Sequence, residues 1–153
     1  MSRASKYGEP PTYPLISELM PWLAKVVDPN RSGQATERQI TSLRRTGLIG
    51  DPSQLTEAQA GALLSARRYA EGALQAMIPL EGTEEEHLLL TALAAFIVRD
   101  DDLRERAIDW NFRSYRRHGG HTEIPQPKRD KNLLWVQEEA KRMAFALHFS
   151  TQA

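Results

Sequence analysis

Three times in this chain a threonine stands three residues ahead of a glutamine or glutamate: Thr36-x-x-Gln39, Thr56-x-x-Gln59 and Thr83-x-x-Glu86. Each spacing fits a capping box. In that motif the threonine oxygen accepts from the third amide on, and the longer side chain reaches back to the threonine's own amide. The exchange satisfies donors that the first turn of a helix leaves without partners. Asp102-x-x-Glu105 is a weaker fourth instance. No stretch alternates apolar and polar residues between hairpin turns, so strands are not expected. The prediction is an all-α protein, a compact bundle of about six helices with a central buried apolar helix.

The helices can be placed along the chain. The first runs from about Pro14 to Val27, with Pro21 forcing a kink or a restart. A loop follows from Asp28 to Gly33. The second helix spans Thr36 to about Thr46 and stops at Gly47. The third runs from Leu55 to about Ile78, ahead of Pro79. The fourth, Glu84 to Arg99, is apolar nearly all round and is the expected centre of the bundle. The fifth covers residues 103 to 118 and ends at Gly119-Gly120. The sixth runs from about Asp130 to Phe149, with Leu133, Val136, Ala140, Met143 and Leu147 along one side. Residues 1–11 read as a flexible tail and residues 12–153 as one helical domain, as a chain of 153 residues suggests. Helices two and three resemble a helix-turn-helix only loosely. About eight residues separate them, where that motif uses a turn of 3–4, and the third helix opens on acidic Glu57. A plain helical hairpin describes them better.

Composition narrows the function. There is no cysteine, hence no disulfide and no thiolate metal site. The first eleven residues lack the apolar core of a signal peptide. The run from Leu88 to Val98 is too short to cross a bilayer, which takes about 20 residues. A soluble, cytoplasmic protein is expected. Lysines and arginines number 20, as do aspartates and glutamates, so no global field draws in nucleic acid. The charge is nevertheless segregated. Residues 81–103 hold Glu81, Glu84, Glu85, Glu86, Asp100, Asp101 and Asp102 against Arg99 alone, a net of −6. Residues 104–131 hold eight lysines and arginines against four acids, a net of +4.

The basic segment carries the main candidate site. At 100° per residue, Arg106, Arg113, Arg116 and Arg117 share one side of the fifth helix, bordered by Trp110 and Phe112. Asp109 lies one turn from both Arg106 and Arg113 and is placed to pair with them. Arg116 and Arg117 have no acid three or four residues before them. They can serve the helix's negative end, or they can join Lys128, Arg129 and Lys131 from the following loop in a patch for phosphates. Trp110, Phe112 and Tyr115 would then be available to stack on a base.

Other constellations are weaker. Arg67 and Glu71 fall within the apolar stripe of the third helix at ion-pairing spacing, and Arg44, Arg45 and Arg68 lie outside the core stripes, where solvation is expected. Glu84-x-x-His87 has the spacing used in helical carboxylate metal sites, but no second copy accompanies it. His118-Gly-Gly-His121 lacks an evident third ligand. With no phosphate-cradling glycine loop and no nucleophilic serine setting, neither catalysis, cofactor nor metal is expected. The apolar end of the last helix can pack on the core or mediate contacts between subunits, with Trp135 a contact residue if exposed.

The expectation is a non-enzymatic helical module that contacts nucleic-acid backbone, RNA or DNA, as an accessory subunit of a larger nucleoprotein complex. Its contacts would be Arg106, Arg113, Arg116, Arg117, Lys128, Arg129 and Lys131, with Trp110, Phe112 and Tyr115 for stacking. The alternative is a protein-binding regulator or inhibitor that presents its acidic segment to a basic partner.

Overall fold

The computed structural model describes residues 8–118 and 124–152, with residues 115–118 and 149–152 described by backbone alone. Six α-helices make up the described residues: α1 (Ile16–Leu23), α2 (Glu37–Arg44), α3 (Glu57–Gln75), α4 (Glu84–Val98), α5 (Asp101–His118) and α6 (Lys131–Gln152). The protein is an all-α bundle. Among the described residues there is no strand, only two isolated bridges, Leu15 with Ile49 and Gln34 with Thr56.

The three threonine boxes form with both halves in place. Thr36 Oγ1 accepts from Gln39 N at 3.1 Å while Gln39 Oε1 accepts from Thr36 N at 3.0 Å, and Thr56 with Gln59 repeats both distances. At α4, Thr83 Oγ1 accepts from Glu86 N at 3.2 Å. The Glu86 carboxylate accepts from the amides of Glu81, Gly82 and Thr83 together, at 2.8, 2.7 and 3.1 Å. The fourth box does not form. Asp100, two residues before Asp102, caps α5 by accepting from Leu103 N at 2.9 Å. Proline shortens α1 relative to expectation: Pro21 lies inside it, and the helix ends two residues later. The loops after α1 and α2 each hold a 3-10 turn, Pro29–Arg31 and Pro52–Gln54, capped by Asp28 and Asp51.

α3 and α4 pack against each other along their length and form the centre of the bundle. On α4, nine of fifteen residues are buried, from Leu89 to Val98. On α3 the buried face is largely small, with Ala58, Ala60, Ala62, Ala66, Ala70 and Ala73 beside Leu63, Tyr69 and Leu74. Small side chains let neighbouring helices approach closely, and α5 and α6 both pack on this face. Gly72 lets the loop before α6 close on α3, since a Cβ there would lie 2.9 Å from Cδ of Pro127. Glu9, Pro10, Pro11, Thr12 and Pro14 line a pocket of about 170 Å³ with Ala92 and Ala95 of α4 and Met143 of α6. Residues 1–7 of the segment read as a tail lie outside the described residues. No helix among the described residues is long and apolar enough to cross a membrane.

Candidate nucleic-acid interface

The residues around the basic segment fall into three groups: those the fold engages, those it leaves on the surface, and those outside the described side chains.

Arg104 opens the engaged group. Only 3% of its side chain is exposed. Nη1 donates to the carbonyl of Val98 at 2.9 Å and Nη2 to Asp101 Oδ1 at 2.9 Å, so this arginine closes the C-terminus of α4. The carbonyls at that end have no intrahelical donors. Arg106 forms an ion pair with Asp130, the two side chains 33% and 24% exposed. The same aspartate caps α6, its Oδ1 accepting from Leu133 N at 3.0 Å. Asp109 therefore pairs with Arg113 alone, at 3.1 Å. Tyr69 lies buried beside the Arg106–Asp130 pair. Burial and the Asp130 charge push its phenol up to about 12, with Arg106 opposing.

Trp110 is committed to packing. Its ring meets Tyr69 edge-on at 5.4 Å, and the guanidinium of Arg68 lies 5.6 Å from its centroid. Arg68 also donates to Asn111 Oδ1 at 2.6 Å, and Asn111 donates to Ser65 Oγ at 3.0 Å. Trp110 is thus not presented to a base, and Arg68 joins α3 to α5 rather than lying solvated as its position predicts. Arg44 and Arg45 are exposed.

On the surface remain Arg113, Phe112, Lys128, Arg129 and Lys131. Arg113 is 73% exposed in its pair with Asp109, and Phe112 is 54% exposed. Lys128, Arg129 and Lys131 are exposed, and among the described residues none has a carboxylate at ion-pair distance. Their position is set from both sides. Pro127 is buried against Gly72 of α3, and Asp130 is held to α5 by Arg106. The loop is thereby held against α3 and α5. Tyr115, Arg116 and Arg117 stand on the last turn of α5, and their side chains lie outside those described.

The remaining candidates have partners within the fold. Arg67 makes no ion pair with Glu71. Its Nη2 donates to Nδ1 of His87 at 3.3 Å, and burial holds its pKa below the usual value against the opposing charge of Glu71. His87 stacks obliquely on Tyr13 with ring centroids 5.8 Å apart, and the Tyr13 hydroxyl donates to Glu84 at 3.1 Å. Gly47, at φ +88°, makes room for this group: a Cβ would come within 2.9 Å of both rings. Glu84 and His87 therefore serve the packing of the N-terminal segment on α4. No three His, Asp or Glu side chains among the described residues converge as metal ligands. His118 and His121 lie outside the described side chains.

The acidic segment is similarly engaged. Glu86, Glu84, Asp100 and Asp101 each accept a hydrogen bond from the protein itself, and Asp101 also pairs with Lys25 at 3.3 Å. Comparison of the chain with protein families, with curated proteins and with solved structures finds no match.

Proposed function

We propose that the protein is a non-enzymatic helical module that contacts the phosphate backbone of nucleic acid, as an accessory subunit of a larger assembly. The observation that carries this reading is the triplet Lys128, Arg129 and Lys131, exposed and without a carboxylate partner among the described residues, on a loop pinned beside α5. Arg113 extends it, since an exposed pair with Asp109 is worth only about 0.3–0.5 kcal/mol and exchanges readily for phosphate. The position of the triplet adds weight. It surrounds the N-terminus of α6, which has no acid in its first turn. Asp130 caps this N-terminus and is itself paired with Arg106, so the three further cations beside it gain nothing from the helix dipole and are available to an external anion. Contacts of this kind position a backbone and read little sequence. The acidic alternative has less to stand on, because four of its seven carboxylates already bond within the fold.

The test is a titration with single-stranded and duplex RNA and DNA at several salt concentrations. Engagement of about four phosphates predicts that affinity falls roughly a hundredfold for each fourfold rise in salt. Replacing Lys128, Arg129 and Lys131 together with alanine should abolish binding at low salt and leave helical content unchanged. Binding that survives the triple replacement, or none by the unaltered protein at low salt, removes this reading.

A further inference from the structure

α6 buries Leu133, Val136, Ala140 and Met143 and turns the opposite face outward. On that outer face Leu134, Glu138, Lys141 and Phe145, at spacings of four, three and four, lie within about 60° of one another around the helix. Leu134 and Phe145 are each 48% exposed. Glu138 and Lys141 are 71% and 62% exposed, 3.5 Å apart. The order is apolar, acidic, basic, apolar. The midpoint of the apolar pair and the midpoint of the charged pair coincide, between Glu139 and Ala140.

That coincidence has a consequence for a second copy laid end for end against the same face. One two-fold axis through the shared midpoint sets Leu134 opposite Phe145 and Glu138 opposite Lys141, twice over. We infer that the protein forms a symmetric antiparallel homodimer through the outer face of α6, with Leu134 of each copy on Phe145 of the other and Glu138 of each facing Lys141 of the other. Two-fold interfaces are self-complementary by construction, and this stripe has the required pattern. A parallel arrangement would set Glu138 against Glu138 and Lys141 against Lys141, so the charges select the direction. Trp135, 45% exposed on the flank of the stripe and edge-on to Phe96 at 5.4 Å, supplies an aromatic border of the kind interfaces favour. A contact of one helix per copy is at the small end of specific interfaces, so the dimer is a weak, reversible one.

Sedimentation equilibrium of the full chain, from about 10 μM to about 1 mM, tests it. The expected result is a reversible monomer–dimer equilibrium. Glu138→Lys or Lys141→Glu alone should weaken it about tenfold, because like charges then oppose each other at both contacts. An equimolar mixture of the two single variants should restore association as a heterodimer, one stripe being wholly basic and the other wholly acidic. The ion pair within a single helix cannot produce that recovery. Both substitutions lie on the solvent face, and circular dichroism checks that each variant folds. A protein that stays monomeric at about 1 mM, a dimer that neither reversal weakens, or a mixture that does not recover overturns the inference.

Discussion

Four of the seven carboxylates in residues 81–102 accept hydrogen bonds within the fold, whereas Lys128, Arg129 and Lys131 have no ion-pair partner among the described residues. In the sequence the two stretches look like mirror images, each a local excess of one sign. The fold separates them because of where each falls relative to helix ends. The acidic residues gather at the starts of α4 and α5, where free amides and the helix dipole call for anions. Glu86 alone satisfies three amides there, and Asp100 satisfies one. The basic triplet sits at the start of α6, the end where cations are unfavourable. Charge that satisfies the local backbone is explained by folding, whereas the triplet has no ion-pair partner among the described residues. The functional reading therefore rests on the triplet and not on the net charge of either segment.

The sharpest way to break this contrast is to find a cation of the basic segment that the fold cannot lose. Arg104 is that residue. Arg104→Ala leaves the carbonyl of Val98 buried without its donor and opens a void, and should cost about 2–4 kcal/mol in urea unfolding. Alanine at Lys128, Arg129 or Lys131 should move stability by less than about 0.5 kcal/mol. If Arg104 proved as dispensable as the triplet, burial would not be what distinguishes the two sets.

Of the two regions compared, acid should act on the acidic one. Burial pushes the carboxyl of Glu86 up, but the amides of Glu81, Thr83 and Gly82 outweigh it and hold its pKa below 4.5. Hydrogen bonds from Arg104 and then Lys25 hold that of Asp101 below 3.8. Both folded values are depressed, so the stability these groups confer is complete above their unfolded values and is lost as pH falls through the folded ones. The urea midpoint should thus hold near neutrality and drop below about pH 4.5, with a shallower drop in Glu86→Gln and Asp101→Asn. The triplet replacements should leave that profile unchanged.

Asp130→Asn sharpens the comparison within the basic region itself. The amide oxygen can still cap α6 at Leu133, while the ion pair with Arg106 is lost. Stability should fall by less than about 1 kcal/mol, since the pair is partly exposed. Nucleic-acid affinity at low salt should rise about threefold as Arg106 joins the patch and a negative charge leaves it. Asp130→Ala removes the cap as well and should cost about 1 kcal/mol more.

What could be read from the sequence follows the range of the interactions. The three capping boxes close within four residues, and all three were legible, as was α4 at the centre of the bundle. The start of α5 was misplaced onto Asp102 because the box pattern there is imitated. The true cap, Asp100, depends on a turn stabilised by Arg104 folding back on Val98. Within the candidate site, Lys128, Arg129 and Lys131 were legible as surface cations on a polar, proline-containing loop. The positions of Trp110 and Arg106 were not, because their partners, Tyr69 and Asp130, are 41 and 24 residues away in the chain. Arg68 was missed for the same reason, since its contacts are Asn111 and Trp110 on another helix.

The smallest expected effect concerns a pair that the sequence does specify, Asp109 with Arg113. Both side chains are mostly in water, at 52% and 73% exposure. Asp109→Asn should therefore change stability by only about 0.3 kcal/mol, within the error of most unfolding curves. Its influence on binding should be the more visible one, because Arg113 then faces solvent without a competing carboxylate and the local charge rises by one. A twofold gain in low-salt affinity that vanishes at high salt is expected, by about the factor that one extra exposed charge supplies. Equal affinity for the variant and the unaltered protein at every salt concentration would place Arg113 outside the contact and confine the patch to the loop before α6.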